Sequence, residues 1–139
     1  KIIEDSPEIK WAIADSPRTP GTTLTNIRNK TNTNLEILNY SETSTTEIRE
    51  YIFKASTIWI SQDSVSMIYE SLSSGASVGL IELRNKNGVK AENTINSLIN
   101  ENMLTSFSKW DKCRTLPLGT SGFNEANRCA QTLLDRGVF

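Results

Sequence analysis

The chain contains no histidine, and its 139 residues include only two cysteines and four prolines. Without histidine the commonest general base is missing. Cys113 and Cys129 alone cannot supply the four ligands of a structural zinc, so no metal is expected. Two free thiols in a reducing cytosol is the ordinary reading of that pair, although a disulfide between them stays open; a cytoplasmic location is expected. Charge of one sign is also lacking: 15 basic residues stand against 16 acidic ones, a net charge of −1. Nothing here offers an electrostatic footprint for nucleic acid or for an anionic membrane surface. No apolar run approaches the roughly 18 residues of a membrane helix, and the first residues do not read as a signal peptide. No GxGxxG follows any strand, and no GxxxxGK[ST] is present, which argues against a dinucleotide fingerprint and a P-loop. A GxSxG elbow is missing too, and without histidine no hydrolase triad can be assembled.

The residues that are present alternate between two periodicities. Glu8 to Asp15 has the continuous apolar centre of a parallel strand covered on both faces. Ser16-Pro17-Arg18-Thr19-Pro20-Gly21 then breaks it as a loop. Thr22 or Thr23 is placed to cap a short helix through about Lys30, and Leu35 to Tyr40 reads as the second strand. Thr45 or Thr46 is placed to cap a helix with Ile48, Tyr51, Ile52 and Ala55 on one stripe. Thr57 to Ser61 is a third strand, a helix opens near Asp63 and closes at Gly75, and Ser77 to Leu83 is a fourth strand. A turn at Arg84 to Gly88 and a helix from about Lys90 to Asn102 follow. Leu104 to Trp110 and Cys113 to Leu118 read as short irregular or strand-like pieces. Asn124 caps a last helix, with Ala126, Cys129, Ala130, Leu133 and Leu134 on one stripe and Gly137 at its end.

This alternation predicts an α/β domain: a Rossmann-like parallel sheet with helices on both faces and right-handed crossovers. The length suits a single domain over residues 1–139. The chain opens KIIEDSPEIK, without an initiator Met and close to its first strand, and is expected to be a piece of a longer protein.

Ligands of open parallel sheets bind beyond the carboxyl ends of the strands, which directs attention to two loops. In the first, Asp63 or Ser64 would cap the helix, and the N–H groups of Ser64, Val65 and Ser66 would point out of the turn toward a phosphate. Ser66 and Glu70, four apart, share a face away from the Val65, Ile68 and Leu72 stripe. Glu70 would accept hydrogen bonds from a ribose diol. The plainer reading is that Ser64 and Asp63 are ordinary caps and Glu70 is solvated surface. In the second loop, Arg18 would take a phosphate bidentately, with Ser16 and Thr19 adding hydrogen bonds; a stiff turn with a solvated Arg is the alternative. Arg84 and Lys86 read as solvated loop charge. Trp11 and Trp59 lie in strands and read as core, and Trp110 lies in a loop.

Ser16-Pro17-Arg18-Thr19-Pro20, the run Gln62-Asp63-Ser64-Val65-Ser66-Met67-Ile68-Tyr69-Glu70 with Gly75, and the stretch from Asn96 to Trp110 together resemble the mitochondrial-fission-protein-like family. Its bacterial members are often labelled predicted nucleoside-diphosphate-sugar epimerases. The likeness covers most of the chain and departs from the family pattern at Pro17 and Ala76. It implies a glycosyltransferase-B-like architecture, of which this chain is the C-terminal, donor-nucleotide domain. Ser64 and Ser66 would bind pyrophosphate, Glu70 the ribose hydroxyls, and Ser16 and Arg18 the distal phosphate or sugar. The implied ligand is a nucleotide-sugar as substrate, with no cofactor, and the implied partner is an N-terminal domain of the same protein. A catalytic residue is not identified, and the domain alone is expected to be inactive. The competing implication is a non-catalytic interaction scaffold.

Overall fold

The computed structural model describes residues 1–30, 34–83, 92–119 and 122–137. In chain order the elements are β1 (Trp11–Ala14), α1 (Thr22–Lys30), β2 (Leu35–Leu38), α2 (Thr45–Lys54), β3 (Thr57–Ser61) and α3 (Val65–Ser73). They continue with β4 (Ser77–Ile81), α4 (Glu92–Asn100), β5 (Leu104–Ser106), α5 (Phe107–Cys113) and α6 (Glu125–Asp135). The expected α/β alternation is present and each strand pair is parallel. Among the described residues the strands form two sheets, β1-β2 and β3-β4-β5, and not one. The chain divides into two compact units, Lys1–Tyr51 and Ile52–Phe139.

The first unit is a single βαβ turn. Register pairs Trp11 with Leu35 and Ala14 with Leu38. Strand β1 was expected to be covered on both faces, yet Trp11 and Ile13 are half-buried while Ala12 and Ala14 are exposed. An alanine side chain is too small to recruit a second layer by itself. Leu38 is the buried hydrophobic residue of this unit among those described. Helix α2 begins one residue earlier than a threonine cap would place it. The Ser44 hydroxyl accepts from the Glu47 N–H (3.2 Å), and the Glu47 carboxylate accepts from the Ser44 N–H (2.7 Å). Each thus satisfies a backbone donor of the other, which is the capping box of an S-x-x-E sequence.

The second unit holds the core. Ile68, Leu72, Val78, Leu80, Ile95, Leu98, Leu104 and Phe123 form one buried cluster. It is built by α3 and α4 against the face of β4 that carries Val78 and Leu80. Each such side chain removed from water contributes about 1.5–3 kcal/mol. The other face of the sheet is aromatic. Gly79 lies opposite Trp59 in register, and a Cβ there would collide with the indole ring. Trp59 packs edge-on against Trp110 (5.2 Å) and Phe107 (6.2 Å). Trp110 therefore belongs to a helix and to the core, and the stretch from Leu104 to Cys113 is a strand followed directly by a helix. The Ser106 hydroxyl caps α5 by accepting from the Lys109 N–H. Gly119 lies so close to Gly75 that a Cβ on it would overlap the Gly75 carbonyl. Gly75 itself ends α3 at φ +82°, a conformation that favours glycine.

The Asn124 side chain caps α6 as expected, accepting from the Asn127 N–H. Its apolar stripe is largely open to solvent. Leu133 is 39% and Leu134 59% exposed, and Cys129 and Ala130 are exposed as well. Arg128 over the Phe123 ring ties the start of the helix down. The turn expected at Arg84 to Gly88 and the first residues of the helix expected from Lys90 lie outside the described residues.

Candidate functional site

Both sequence-predicted loops lie at the carboxyl ends of parallel strands, one in each unit. Asp63, Ser64, Val65, Ser66 and Glu70 stand together where β3 turns into α3, whereas Ser16, Arg18 and Thr19 stand together after β1.

In the second unit, Ser64 is the N-cap residue of α3 at φ −101° and ψ 63°, and its side chain makes no capping hydrogen bond. Its hydroxyl instead lies 3.4 Å from that of Ser61. The Ser64 N–H was expected to face a ligand, but it donates to the Ser61 carbonyl at 3.0 Å. This bond closes the turn, so the outward donors of the expected set reduce to Val65 and Ser66. The first N–H groups of an α-helix have no intrahelical acceptor, and the helix end carries about half a positive charge. Ser66 is exposed and Glu70 half-buried, consistent with a shared outer face. No Lys or Arg occurs between Lys54 and Arg84, so within this stretch an anion would be held by backbone N–H groups and hydroxyls, with no cation. Arg84 and Lys86 lie outside the described residues.

In the first unit, the loop is a tight turn that uses its own hydroxyls. The Thr19 N–H donates to the Ser16 carbonyl (2.9 Å) across Pro17 and Arg18, with proline at the position where its fixed φ suits a turn. The Thr19 hydroxyl accepts from the Ser16 N–H (3.0 Å), the Ser16 hydroxyl accepts from the Arg18 N–H (3.2 Å), and the two hydroxyls lie 3.3 Å apart. Ser16 and Thr19 are thus half-buried members of the turn, and Arg18 is exposed at its tip.

Three polar residues escaped the sequence reading. Asp15, directly before the first loop, accepts from the Tyr40 N–H at 2.6 Å. Gln62, directly before the second, is 6% exposed and accepts from the Leu83 N–H at 3.4 Å. The Glu82 carboxylate accepts from both the N–H and the hydroxyl of Ser108 in the first turn of α5. The available signal was position: each of the three lies within two residues of the carboxyl end of a strand.

An open groove of about 380 Å³ lies elsewhere in the second unit, between Tyr69, the outer side of α4 from Asn93 to Glu101, and Glu125 and Arg128 of α6. Arg128 bridges Glu101 (3.7 Å) and Glu125 (3.5 Å) at its rim. Burial, and secondarily the Glu125 carboxylate, pushes the Tyr69 phenol above its ordinary value, and its ring stacks on Phe123. Two carboxylates thus share one guanidinium, and the groove includes none of the loop residues.

Together, the parallel strands, the intervening helices and the polar loops at the strand ends define an α/β protein of Rossmann-like type. The model of the family Mitochondrial fission ELM1 matches residues 1–136, so the chain belongs to that family. No curated protein and no solved structure matches it. Among the described residues no helix is long and apolar enough to cross a membrane.

Proposed function

We propose that this chain is the donor nucleotide- or nucleotide-sugar-binding domain of a glycosyltransferase-B-like protein. The observation that carries this reading is the β3–α3 turn. A helix N-terminus opens at the carboxyl end of a parallel strand, and the Ser64 side chain makes no capping bond there. A pyrophosphate placed at this turn meets the Val65 and Ser66 N–H groups and the Ser64 and Ser66 hydroxyls. Glu70, one turn further, accepts from a ribose diol, as an acid does in dinucleotide sites. Ser16, Arg18 and Thr19 form a second polar loop at a strand end of the first unit, where Arg18 supplies a cation for a phosphate. The catalytic groups then belong to an N-terminal domain of the same protein, and the work is done in the cytoplasm. Calorimetry of the intact protein with UDP- and GDP-sugars tests the reading. Saturable binding that Glu70→Ala weakens supports it; no binding to any of these sugars sinks it.

A second reading, a non-catalytic interaction scaffold, is supported by the exposed stripe of α6 and by a family named for mitochondrial fission. Capture of a protein partner that Leu134→Asp abolishes, together with no nucleotide binding, favours the scaffold.

A further inference from the structure

The two units share a detail that neither loop shows alone. After β1, the Asp15 N–H donates to the carbonyl of Leu38, the last residue of β2, at 3.2 Å. The Asp15 carboxylate then accepts from the N–H of Tyr40, two residues further on. After β3, the Gln62 N–H donates to the carbonyl of Ile81, the last residue of β4, at 3.0 Å. The Gln62 carboxamide oxygen then accepts from the N–H of Leu83, again two residues further on. Residue for residue, this is the same pair of hydrogen bonds. In each case a side chain follows the first strand of a parallel pair and prolongs the ladder by one rung past the end of the second strand.

We propose that Asp15 and Gln62 are positioning residues that fix the conformation of the loops they precede, Ser16–Thr19 and Asp63–Ser66. The ladder of a parallel pair ends where the chain leaves for its helix, and the next N–H of the neighbouring strand would then be left to water. A side-chain acceptor at that point holds the two exits side by side and sets the direction in which the loop departs. Gln62 does so almost fully buried, where an unpaired amide is expensive. Asp15 does so half-buried, with a shorter, charge-assisted bond. In the second unit the tie extends further. Glu82, between the two residues that Gln62 contacts, holds the start of α5 through Ser108. The exits of β3, β4 and β5 are therefore linked in one chain of hydrogen bonds. The consequence for ligand binding rests on the nucleotide reading above; the conformational role does not.

Amide hydrogen exchange on the intact protein tests the conformational role directly, and calorimetry with UDP-glucose and GDP-mannose tests the consequence. Gln62→Leu keeps the buried volume and removes the acceptor. It is expected to speed exchange at Leu83 and through residues 63–66 by about tenfold or more, with Val78 and Leu80 still protected. Gln62→Glu, which restores an acceptor, returns Leu83 toward the wild-type rate. Asp15→Ala and Asp15→Asn give the same contrast at Tyr40. Unchanged exchange at Leu83 and Tyr40 in the acceptor-less variants overturns the proposal, as does a rise spread equally over the core, which marks global destabilisation. If the wild type binds either sugar nucleotide, the acceptor-less variants bind several-fold more weakly and the restored ones recover. Local exchange effects without sugar-nucleotide binding in the wild type uphold the positioning role and remove the nucleotide reading.

Discussion

The two units solve the same problem at their strand ends and differ in what lies beneath. Both use a parallel pair whose exits are tied by a side-chain acceptor, Asp15 in one and Gln62 in the other. Among the described residues, only the second stands on a closed apolar cluster, with Ile68, Val78 and Leu104 fully removed from water. The first has Leu38 at 9% exposure and a strand whose alternate face is open. The loop geometry therefore does not depend on a deep core. It depends on hydrogen bonds at the last rung, and the core decides how much strain or truncation the unit tolerates.

Core truncation separates the units most strongly. Ile68→Ala is expected to cost about 2–5 kcal/mol, and Leu38→Ala to fall at or below the low end of that range because its surroundings can collapse or hydrate. Denaturant unfolding of both variants checks this, and equal losses would break the contrast. Glycine substitution is next in size. Gly119→Ala places a methyl on the Gly75 carbonyl and is expected to cost about 1–3 kcal/mol. Gly21, with nothing within 4 Å of a built Cβ, should accept alanine within about 0.5 kcal/mol. Thermal midpoints of the two variants give the comparison.

Helix starts come third. Ser44→Ala removes a reciprocal cap and should cost about 0.5–2 kcal/mol. Ser64→Ala removes no capping bond and should change stability by about 0.5 kcal/mol or less. The same cap has a pH signature. The Ser44 hydroxyl, and after it the Ser44 N–H, lowers the Glu47 carboxyl below its ordinary value. A lowered carboxylate contributes stability above its unfolded value, and loses it as the pH falls through the folded one. Acid titration of stability in wild type and Ser44→Ala should therefore bring the two closer at the acid end, leaving only the Glu47 N–H to Ser44 hydroxyl bond to separate them. The smallest effect is chemical. The Thr115 hydroxyl, and after it the Thr115 backbone, lowers the Cys113 thiol through hydrogen bonds. Alkylation of Cys113 should accordingly begin at lower pH than for an ordinary thiol, and Thr115→Val should move the onset upward. An unmoved profile in Thr115→Val would remove that assignment.

Much of the fold was legible in local pattern. The period-two and helical runs placed the first four strands, and helices α3 and α6, to within a few residues. Asn124 and Gly75 marked a helix start and a helix end because capping and positive φ are decided by a handful of neighbouring atoms. Ser44 was overlooked in favour of the threonines beside it, although Glu47 three residues later is its natural partner. The stretch from Leu104 to Cys113 is too short for periodicity to tell a strand from a helix. Of the candidate site, the sequence located both loops. It could not show that the Ser64 N–H and the Ser16 and Thr19 hydroxyls are engaged in closing them, because a donor looks the same in sequence whether it faces a ligand or its own turn.

The sequence by itself determined that the chain is an α/β protein of parallel strands and where its polar, hydroxyl-rich turns fall. These follow from side-chain periodicity, capping and composition, which act within a few residues. The tertiary structure alone decided that the described strands pair as two sheets, that α6 leaves Leu133 and Leu134 uncovered, that Gly119 must approach Gly75, and that Asp15 and Gln62 occupy equivalent places. Each of those is a contact or a missing contact between segments distant along the chain. Such contacts are set by ladder register and packing, which no local pattern encodes.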